Sequence, residues 1–228
     1  MLVRQRAAAT LRRRGKIAFL SRLHPDSSIF DVGCGSNSPY STKQILPKCK
    51  YTGIDIGDHN QTKPNLSDRY IIAEPINFAG EIAKLTNTFD AVVSSHNLEH
   101  CNDRHGTLRA MLAALKPNGL IYVSFPCEPS THFPKRKGCL NYYDDETHKY
   151  APPAFDEVIT ELNSHGFEIL FAARRYRPLI LRLIGLCLEP LSQRKQQILT
   201  GTWEFYGFES VIWARKIVNK KMKNHESK

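Results

Sequence analysis

The chain has 228 residues, of which 41% are hydrophobic and 24% charged, and it carries a net charge of +10. This length suits one large domain with an appendage, and the composition excludes a fibrous or wholly disordered protein. The most apolar stretch, residues 178–191, is interrupted by Arg182 and Glu189, which excludes a membrane-spanning helix.

The positive charge belongs to the two ends of the chain. Residues 1–24 carry seven Lys or Arg and no acid, and residues 174–228 carry twelve against four acids, whereas residues 25–173 carry thirteen against eighteen. Basic ends of this kind contact nucleic acid, anionic lipid or an acidic substrate, or are solvated. We interpret residues 1–25 as a basic helix packed before the first strand, with an organellar presequence as the alternative, and residues 216–228 as a solvated tail.

The six cysteines include no CxxC pair, and the sequence shows no secretory leader. We therefore expect reduced thiols in a cytoplasmic protein.

Short apolar runs ended by turn residues alternate with stretches of helical spacing. Strands are predicted at residues 28–32, 51–55, 69–73, 89–95, 120–125, 167–172 and 210–214. Helices are predicted at 107–115 and 155–166, with a turn over Lys116 to Gly119 after the first. Buried strands joined by helices are typical of a parallel sheet covered on both faces. We predict a doubly wound α/β domain over residues 26–215.

Two segments break this alternation. Residues 127–153 are polar and aromatic, and too long for an ordinary connection, so we predict a lid or substrate loop. Residues 174–209 form an insertion before the last strand, and its amphipathic helix is expected to cover the site or meet a partner. Because arginines flank the apolar face of residues 179–188, peripheral contact with a membrane surface is a further hypothesis.

The ends of the first two strands carry a ligand-binding pattern. In an open parallel sheet, ligands bind beyond the carboxyl ends of the strands. Gly33 and Gly35 follow Asp31 there and allow a ligand close to the backbone, and Asp55 can accept both hydroxyls of a ribose. Asn37 stands where NAD-binding proteins have a third glycine beside a pyrophosphate. The pattern favours an adenosine cofactor without phosphates.

Four motifs together resemble the class I S-adenosylmethionine-dependent methyltransferases. They are IFDVGCG at 29–35, GID at 53–55, FDAVVSSHNLEH at 89–100 and LKPNGL at 115–120. The resemblance implies a mostly parallel, seven-stranded, Rossmann-like methyltransferase sheet with helices on both faces, and S-adenosylmethionine as the cofactor. Residues 143–150 and 163–167 resemble the type 11 branch, which includes enzymes that modify sugars, lipids and other small metabolites.

The resemblance also implies the residues that bind the cofactor. Gly33 and Gly35 pass under its methionine part, Asp31 orients their loop, Asp55 holds the ribose, and Glu74 lies near the adenine. Ser95 and His96 lie where cofactor and substrate meet. The full set is Asp31, Gly33, Gly35, Asn37, Asp55, Ile56, Glu74, Ser95 and His96. The chain departs from the family at Asn37, which replaces a glycine, and at Glu74, which precedes Pro75.

A methyl transfer is an in-line displacement, so the enzyme mainly aligns the reacting groups. A hydroxyl acceptor gains further from a base, and the neutral imidazole of His148 suits this role, with Asp144 or Asp145 orienting it. We predict His148 and Asp145 as catalytic; the alternative is that His148 binds a ligand or closes the loop. No metal is predicted, because His96 and His100, four residues apart on one expected helix face, lack a third ligand at a suitable spacing.

We therefore predict an O-methyltransferase acting on a small-molecule hydroxyl, saccharide or glycolipid-like. One alternative is an RNA methyltransferase, supported by the basic ends but not by the acidic middle; another is a non-catalytic module that binds S-adenosylmethionine. In the loop, residues 135–137 (KRK) either meet an anionic group of the substrate or form a solvated turn. Its aromatic residues either stack on a sugar or pack within the loop: Phe133, Tyr142, Tyr143 and Tyr150.

Overall fold

Seven strands form one sheet in the computed structural model, which describes residues 10–59, 61–148 and 150–217. They are β1 (Ser28–Val32), β2 (Lys50–Asp55), β3 (Arg69–Ile72), β4 (Phe89–Ser95), β5 (Leu115–Pro126), β6 (Phe167–Ala173) and β7 (Glu209–Lys216). The order is β3-β2-β1-β4-β5-β7-β6. The first five strands are parallel, and β7 runs antiparallel to both of its neighbours. The predicted mostly parallel, seven-stranded sheet is confirmed.

Helices cover both faces of this sheet. They are α1 (Lys16–Leu20), α2 (Ser38–Ile45), α3 (Phe78–Ala83), α4 (Arg104–Ala114), α5 (Phe155–Ser164), α6 (Leu179–Lys195) and α7 (Thr202–Tyr206). Because side chains alternate along a strand, neighbouring residues serve opposite cores. Phe30 packs in the core formed with α3, α4 and α5, whereas Ile29 packs in the core formed with α1.

The basic N-terminal segment contributes to the second core. Ala18, Phe19 and Leu20 are buried, and the Phe19 ring lies 5.7 Å from that of Tyr122 and 5.4 Å from that of Trp213. Residues 1–9 of the predicted basic helix and residues 218–228 of the predicted tail lie outside the described residues.

Strand β5 is longer than the sequence pattern predicts. It begins at Leu115, so the predicted turn over Lys116 to Gly119 lies within the strand. The expected irregularity is nevertheless present, because the β4–β5 register shifts between Phe89 and Ala91 and Asn118 has a φ of 64°. Residues 116–119 have no partner on β4 or β7, so the turn interrupts the pairing of the strand instead of preceding the strand.

The lid segment and the insertion both start at the edge where the parallel strands end. Pro126 of β5 pairs with Glu209 of β7, and Ala173 of β6 pairs with Val211. The chain therefore leaves β6 and returns to β7 at the carboxyl edge of the sheet. We call residues 127–148 and 174–208 the cap. Its two parts are joined, since the Trp203 indole donates to the Cys139 carbonyl at 2.8 Å and the Lys137 amide to the Gln196 carbonyl at 3.0 Å.

Candidate functional site

The loop after β1 holds two glycines for different reasons. Gly33 has a φ of +69°, and a Cβ there would lie 2.2 Å from Asn97 Oδ1, so a side chain is excluded by its neighbour. Gly35 has a φ of +53°, but no heavy atom lies within 4 Å of where its Cβ would project. The backbone at Gly35 is therefore open to a ligand. Asn37 adopts the same left-handed conformation, with a φ of 62°, which asparagine tolerates in place of glycine.

Asp31 is buried beneath this loop with one carboxylate oxygen saturated and the other free. Its Oδ2 accepts from Lys16 Nζ at 2.9 Å, Ser38 Oγ at 2.6 Å and Tyr51 OH at 2.9 Å. Burial and the Asp31 charge raise the pKa of Tyr51, which keeps its hydroxyl a donor. Among the described residues, Oδ1 has no hydrogen-bond partner. A buried carboxylate oxygen without a partner fits a ligand that brings a donor, such as an amino group.

Asp55 joins the end of β2 to the glycine loop. Its Oδ2 accepts from the Gly35 amide at 2.6 Å, and its Oδ1 contacts the Ile56 amide and His59 Nε2, each at 2.7 Å. A carboxylate offers about four lone-pair positions, so one at Oδ2 remains for a ligand hydroxyl. A second hydroxyl at Oδ1 has to share or replace His59.

Hydrogen bonds hold the segment that carries His59 against the glycine loop. Gln61 accepts from the Asn37 amide at 2.7 Å and donates to the Gly35 carbonyl at 2.8 Å, and Ser36 Oγ donates to the His59 carbonyl. His59 and Gln61 were not predicted from the sequence, because no motif marks them. Their polarity next to Asp55 was the available signal.

The remaining predicted cofactor residues lie at strand ends along the same edge. Ile56 is 51% exposed after β2, and Glu74 is exposed after β3. Ser95 ends β4 with its Oγ 3.1 Å from Ser124 Oγ. Hydrogen bonds bring together Asp55, Gly35 and Asn37; none in the described structure joins Glu74 to them, and its adenine contact stays a prediction.

His96 is a charged link between β4 and β7. Its Nδ1 lies 3.1 Å from Glu99 Oε1 and its Nε2 3.2 Å from Glu209 Oε1. Burial alone would lower the pKa of His96, but the hydrogen bonds and charges of Glu209 and Glu99 raise it to about 10. Arg12 pairs with the same Glu209, whose pKa is lowered to about 2 despite its burial. His96 is therefore an imidazolium with both nitrogens occupied, and it has no lone pair for a base.

The turn after His96 differs from the predicted helix. Leu98–His100 is one 3₁₀ turn, and His96 precedes it with a φ of 52°, so His96 and His100 do not share an α-helical face. Glu99 is buried in this turn; its Oε1 contacts His96, and its Oε2 has no partner among the described residues. The His100 ring lies 4.7 Å from the ring of His148, which brings the cap to this turn.

His148 is held in one tautomer by its neighbours. Its Nδ1 lies 2.6 Å from the Tyr142 carbonyl oxygen, and its ring stacks on that of Tyr142 at 4.2 Å. Since a carbonyl only accepts, Nδ1 carries a proton, and in the neutral ring the lone pair is therefore on Nε2. The side chain is 6% exposed. The imidazole is thus oriented with a proton-accepting nitrogen directed away from its anchor.

The two acids proposed to orient His148 form their hydrogen bonds with other groups. Asp144 Oδ2 accepts from the amides of Arg136, Leu140 and Asn141, which closes the loop. Asp145 Oδ1 accepts from the amide and hydroxyl of Thr147, and its Oδ2 lies 3.9 Å from His148 Nε2. Burial would raise the pKa of Asp145, but these hydrogen bonds and the nearby histidines lower it. Tyr142 provides the orientation, and Asp145 provides a negative charge near Nε2.

A cluster of potential metal ligands is formed by Glu99, His100 and His148. One ligand atom from each lies within 4.8 Å of the others. Burial lowers the pKa of His100, which favours the neutral, ligating form, and its Nδ1 contacts Thr147 Oγ1 at 2.9 Å. Carboxylate and imidazole ligands of this kind suit a divalent metal ion. The grouping is not visible in the sequence, because His148 lies 48 residues from His100.

The basic and aromatic residues of the cap divide between packing and exposure. Arg136 is buried in a two-point pair with Glu189, at 2.6 and 2.9 Å, so it joins the lid to α6. Lys135 and Lys137 beside it are exposed. In the cap, Tyr142 is fully buried and Tyr143 is 50% exposed, and Tyr150, just after the cap, is 57% exposed.

Comparison with protein families matches residues 3–176 to a family described as a methyltransferase domain. Comparison with curated proteins gives no significant match. Three solved structures show the same fold at low sequence identity. They are a chain of the complex between the Haloferax volcanii Trm112 methyltransferase activator and a methyltransferase (14% identity, TM-score 0.59, 94% of each chain covered), a SAM-dependent methyltransferase from Archaeoglobus fulgidus (19%, 0.55, 93% of this chain and 94% of that one), and the Burkholderia thailandensis 1,6-didemethyltoxoflavin-N1-methyltransferase with S-adenosylhomocysteine bound (15%, 0.53, 94% and 78%).

Proposed function

The chain belongs to the methyltransferase-domain family, and from this premise we propose that it transfers a methyl group to a hydroxyl of a small molecule, saccharide or glycolipid-like. The observation that carries the proposal is His148. Its Nδ1 donates to the Tyr142 carbonyl, so the lone pair of the neutral ring is on Nε2. Such a group suits the removal of a hydroxyl proton.

S-adenosylmethionine is the cofactor of this class, and the residues present fit it. The free Asp31 Oδ1 suits the amino group of its methionine part, the open backbone of Gly35 allows close approach, and Asp55 Oδ2 suits a ribose hydroxyl. When bound, this cofactor supplies a methyl group activated by a sulfonium. The protein's own task is to align the acceptor and to move its proton.

His148 is better suited than His96 to accept that proton. His96 stays protonated up to a pH of about 10 and has a carboxylate on each nitrogen. When His148 Nε2 takes a proton, the Asp145 carboxylate 3.9 Å away stabilises the resulting cation. General-base catalysis of this kind contributes roughly 10²–10⁴-fold to a rate.

The cap supports an acceptor rich in hydroxyl groups. Tyr143 in the cap and Tyr150 just after it expose half or more of their surface. A tyrosine ring offers an apolar face, and its own hydroxyl adds a hydrogen-bonding group at one end. Lys135 and Lys137 add exposed positive charge for an anionic group on the acceptor.

The acceptor class is tested by incubating the full chain with methyl-labelled S-adenosylmethionine and fractionated extracts of its host. We expect label in a saccharide or glycolipid fraction. Label in RNA, lost on ribonuclease treatment, would contradict the proposal, as would label in protein or cofactor binding without turnover on any fraction.

The base is tested with His148→Asn. The asparagine amide keeps a donor near the position of Nδ1 for the Tyr142 carbonyl but removes Nε2. We expect kcat to fall by roughly 10²-fold or more while the Kd for S-adenosylmethionine is unchanged. The matched control is His165→Asn at the exposed end of α5, which should leave kcat unchanged. Equal kcat values for the two variants would remove His148 from this role.

The cofactor site is tested separately by calorimetry. Asp55→Asn should bind S-adenosylmethionine about 10- to 100-fold more weakly, since hydrogen bonds to a charged group contribute about 1.5–3 kcal/mol. Asp90→Asn is the control, because Asp90 pairs with Lys116 and Ser28 at the opposite edge of the sheet. Equal affinities for both variants would contradict the assignment of Asp55.

A further inference from the structure

Helix α6 turns its apolar face outward. The residues packed inward are Leu181, Gly185 and Ser192. Five large apolar side chains are exposed instead, namely Leu179 (67%), Ile180 (50%), Leu183 (51%), Leu186 (53%) and Leu191 (41%). With 3.6 residues per turn these positions share one side of the helix. We call them the outer face of α6.

The outer face is not needed to hold the helix in place. A Cβ on Gly185 would lie 2.0 Å from the Gly201 carbonyl oxygen, so α6 lies directly against the chain at Gly201. Glu189 pairs with the buried Arg136, and Ser192 Oγ donates to the Gln197 carbonyl at 2.6 Å. The helix is thus fixed by its opposite side, and the outer face remains available for a partner.

The charge around the outer face is positive. Helix α6 contains three Lys or Arg and one acid, Glu189, and that acid is already paired with Arg136. Arg182, Arg194 and Lys195 are exposed and have no ion-pair partner within the described parts of the chain. A leucine-rich face bordered by unpaired cations is complementary to an anionic lipid surface.

We propose that α6 binds in the interface of an anionic membrane, with its outer face among the lipid chains and its cations at the headgroups. Helix α6 has 17 residues, and none of the described helices is long and apolar enough to cross a membrane; the helix therefore lies along the surface. Two copies of the face would bring like charges together, which disfavours a second copy as the occupant.

This position has a consequence for the acceptor, which rests on the proposed function. The cap that carries α6 leaves and rejoins the sheet at the carboxyl edge, where Asp55 and His148 lie. Docking by α6 brings that edge to the membrane surface. The acceptor hydroxyl then belongs to a lipid-linked molecule, such as a glycolipid, in preference to a freely soluble sugar.

Membrane binding is tested by co-sedimentation of the full chain with lipid vesicles, in the absence of S-adenosylmethionine and acceptor. We expect the protein to sediment with vesicles of phosphatidylcholine and phosphatidylglycerol and to remain in solution with phosphatidylcholine alone. The double variant Leu183→Gln, Leu186→Gln should lose roughly tenfold or more of its partition. Leu170→Gln, an exposed leucine on β6, is the control and should bind as the wild type does. All three sites are exposed, so thermal unfolding should be unchanged.

The electrostatic part is tested with Arg182→Glu, Arg194→Glu. Each cation near an anionic surface accounts for about a fivefold change in partition, so the double reversal should abolish binding at moderate salt. Lys48→Glu, just before β2 at the amino edge of the sheet, is the control.

Three results would overturn the inference. The first is no sedimentation with either kind of vesicle, and the second is equal sedimentation with both kinds. The third is light scattering that shows a dimer in the wild type and a monomer in the leucine variant, which would mean that the outer face binds a second copy of the chain. Because these measurements need no methyl transfer, they separate the failure of membrane binding from the failure of the proposed reaction. Label from the cofactor in the lipid extract, and not in the aqueous phase, supports the lipid-linked acceptor.

Discussion

Replacing Glu209 by Gln tests the charged link between β4, β7 and the N-terminal segment. Glu209 is 4% exposed and contacts both His96 and Arg12. Burial would raise its pKa, but the hydrogen bond from His96 and the charge of Arg12 lower the pKa from its ordinary 4.5 to about 2. A shift of this size corresponds to about 3 kcal/mol of folding free energy, at about 1.4 kcal/mol for each pKa unit.

The pH dependence follows from the direction of the two shifts. The lowered pKa of Glu209 contributes stability above pH 4.5 that is lost as the pH falls toward 2. The raised pKa of His96 contributes stability below pH 6.5 that is lost as the pH rises toward 10. Both shifts describe the same contacts, so the two contributions are not added. The link is complete between about pH 4.5 and 6.5 and still largely intact at pH 7.

The measurement is urea unfolding of wild type and Glu209→Gln from pH 5 to pH 10. We expect the variant to lose about 3 kcal/mol at pH 6–7, and the difference to shrink as His96 loses its proton near pH 10. NMR titration of His96 should show its pKa lowered in the variant. The control is Glu168→Gln, an exposed partner of Arg215, which should cost less than about 1 kcal/mol. Equal losses in both variants, or a difference that does not change with pH, would refute this reasoning.

Three further predictions concern the site. Gly35→Ala should fold, with about 1–2 kcal/mol of backbone strain, yet bind S-adenosylmethionine poorly in calorimetry. Gly33→Ala should lower the thermal unfolding temperature more than Gly35→Ala does, because its Cβ meets Asn97 at 2.2 Å. A greater loss of stability in Gly35→Ala than in Gly33→Ala would contradict the cofactor placement. Chelation with EDTA should leave kcat unchanged if His148 is the base. A loss of kcat that a divalent ion restores would instead favour Glu99, His100 and His148 as ligands of that ion. Asp145→Asn should lower kcat by about tenfold, less than His148→Asn, because it makes no hydrogen bond to the ring; an equal or greater loss would give Asp145 a direct role.

The strands could be predicted because each is a short apolar run with its own turn residues. Ser28–Val32 and Phe89–Ser95 have the predicted bounds, since both are central parallel strands buried on two faces. The same local signals located Gly33, Gly35 and Asp55 at the carboxyl edge. The start of β5 differs from the prediction, because the strand begins at Leu115, but its regular pairing with β4 and β7 begins at Leu120 and residues 116–119 have no partner on either strand. The local turn chemistry at Asn118, which has a φ of 64°, therefore interrupts the ladder where the sequence places the turn.

The charged link and the cap depend on contacts that no local pattern contains. Arg12 and Glu209 are 197 residues apart, and His96 and Glu209 are 113 apart, so their meeting follows only from the order β4-β5-β7 in the sheet. Helix α6 is clearly amphipathic in sequence, yet periodicity does not say which side is buried. That choice is made by Gly185, whose missing side chain permits contact with Gly201. Small residues therefore decide the packing and leave five large apolar side chains outside, which is the reverse of the usual arrangement.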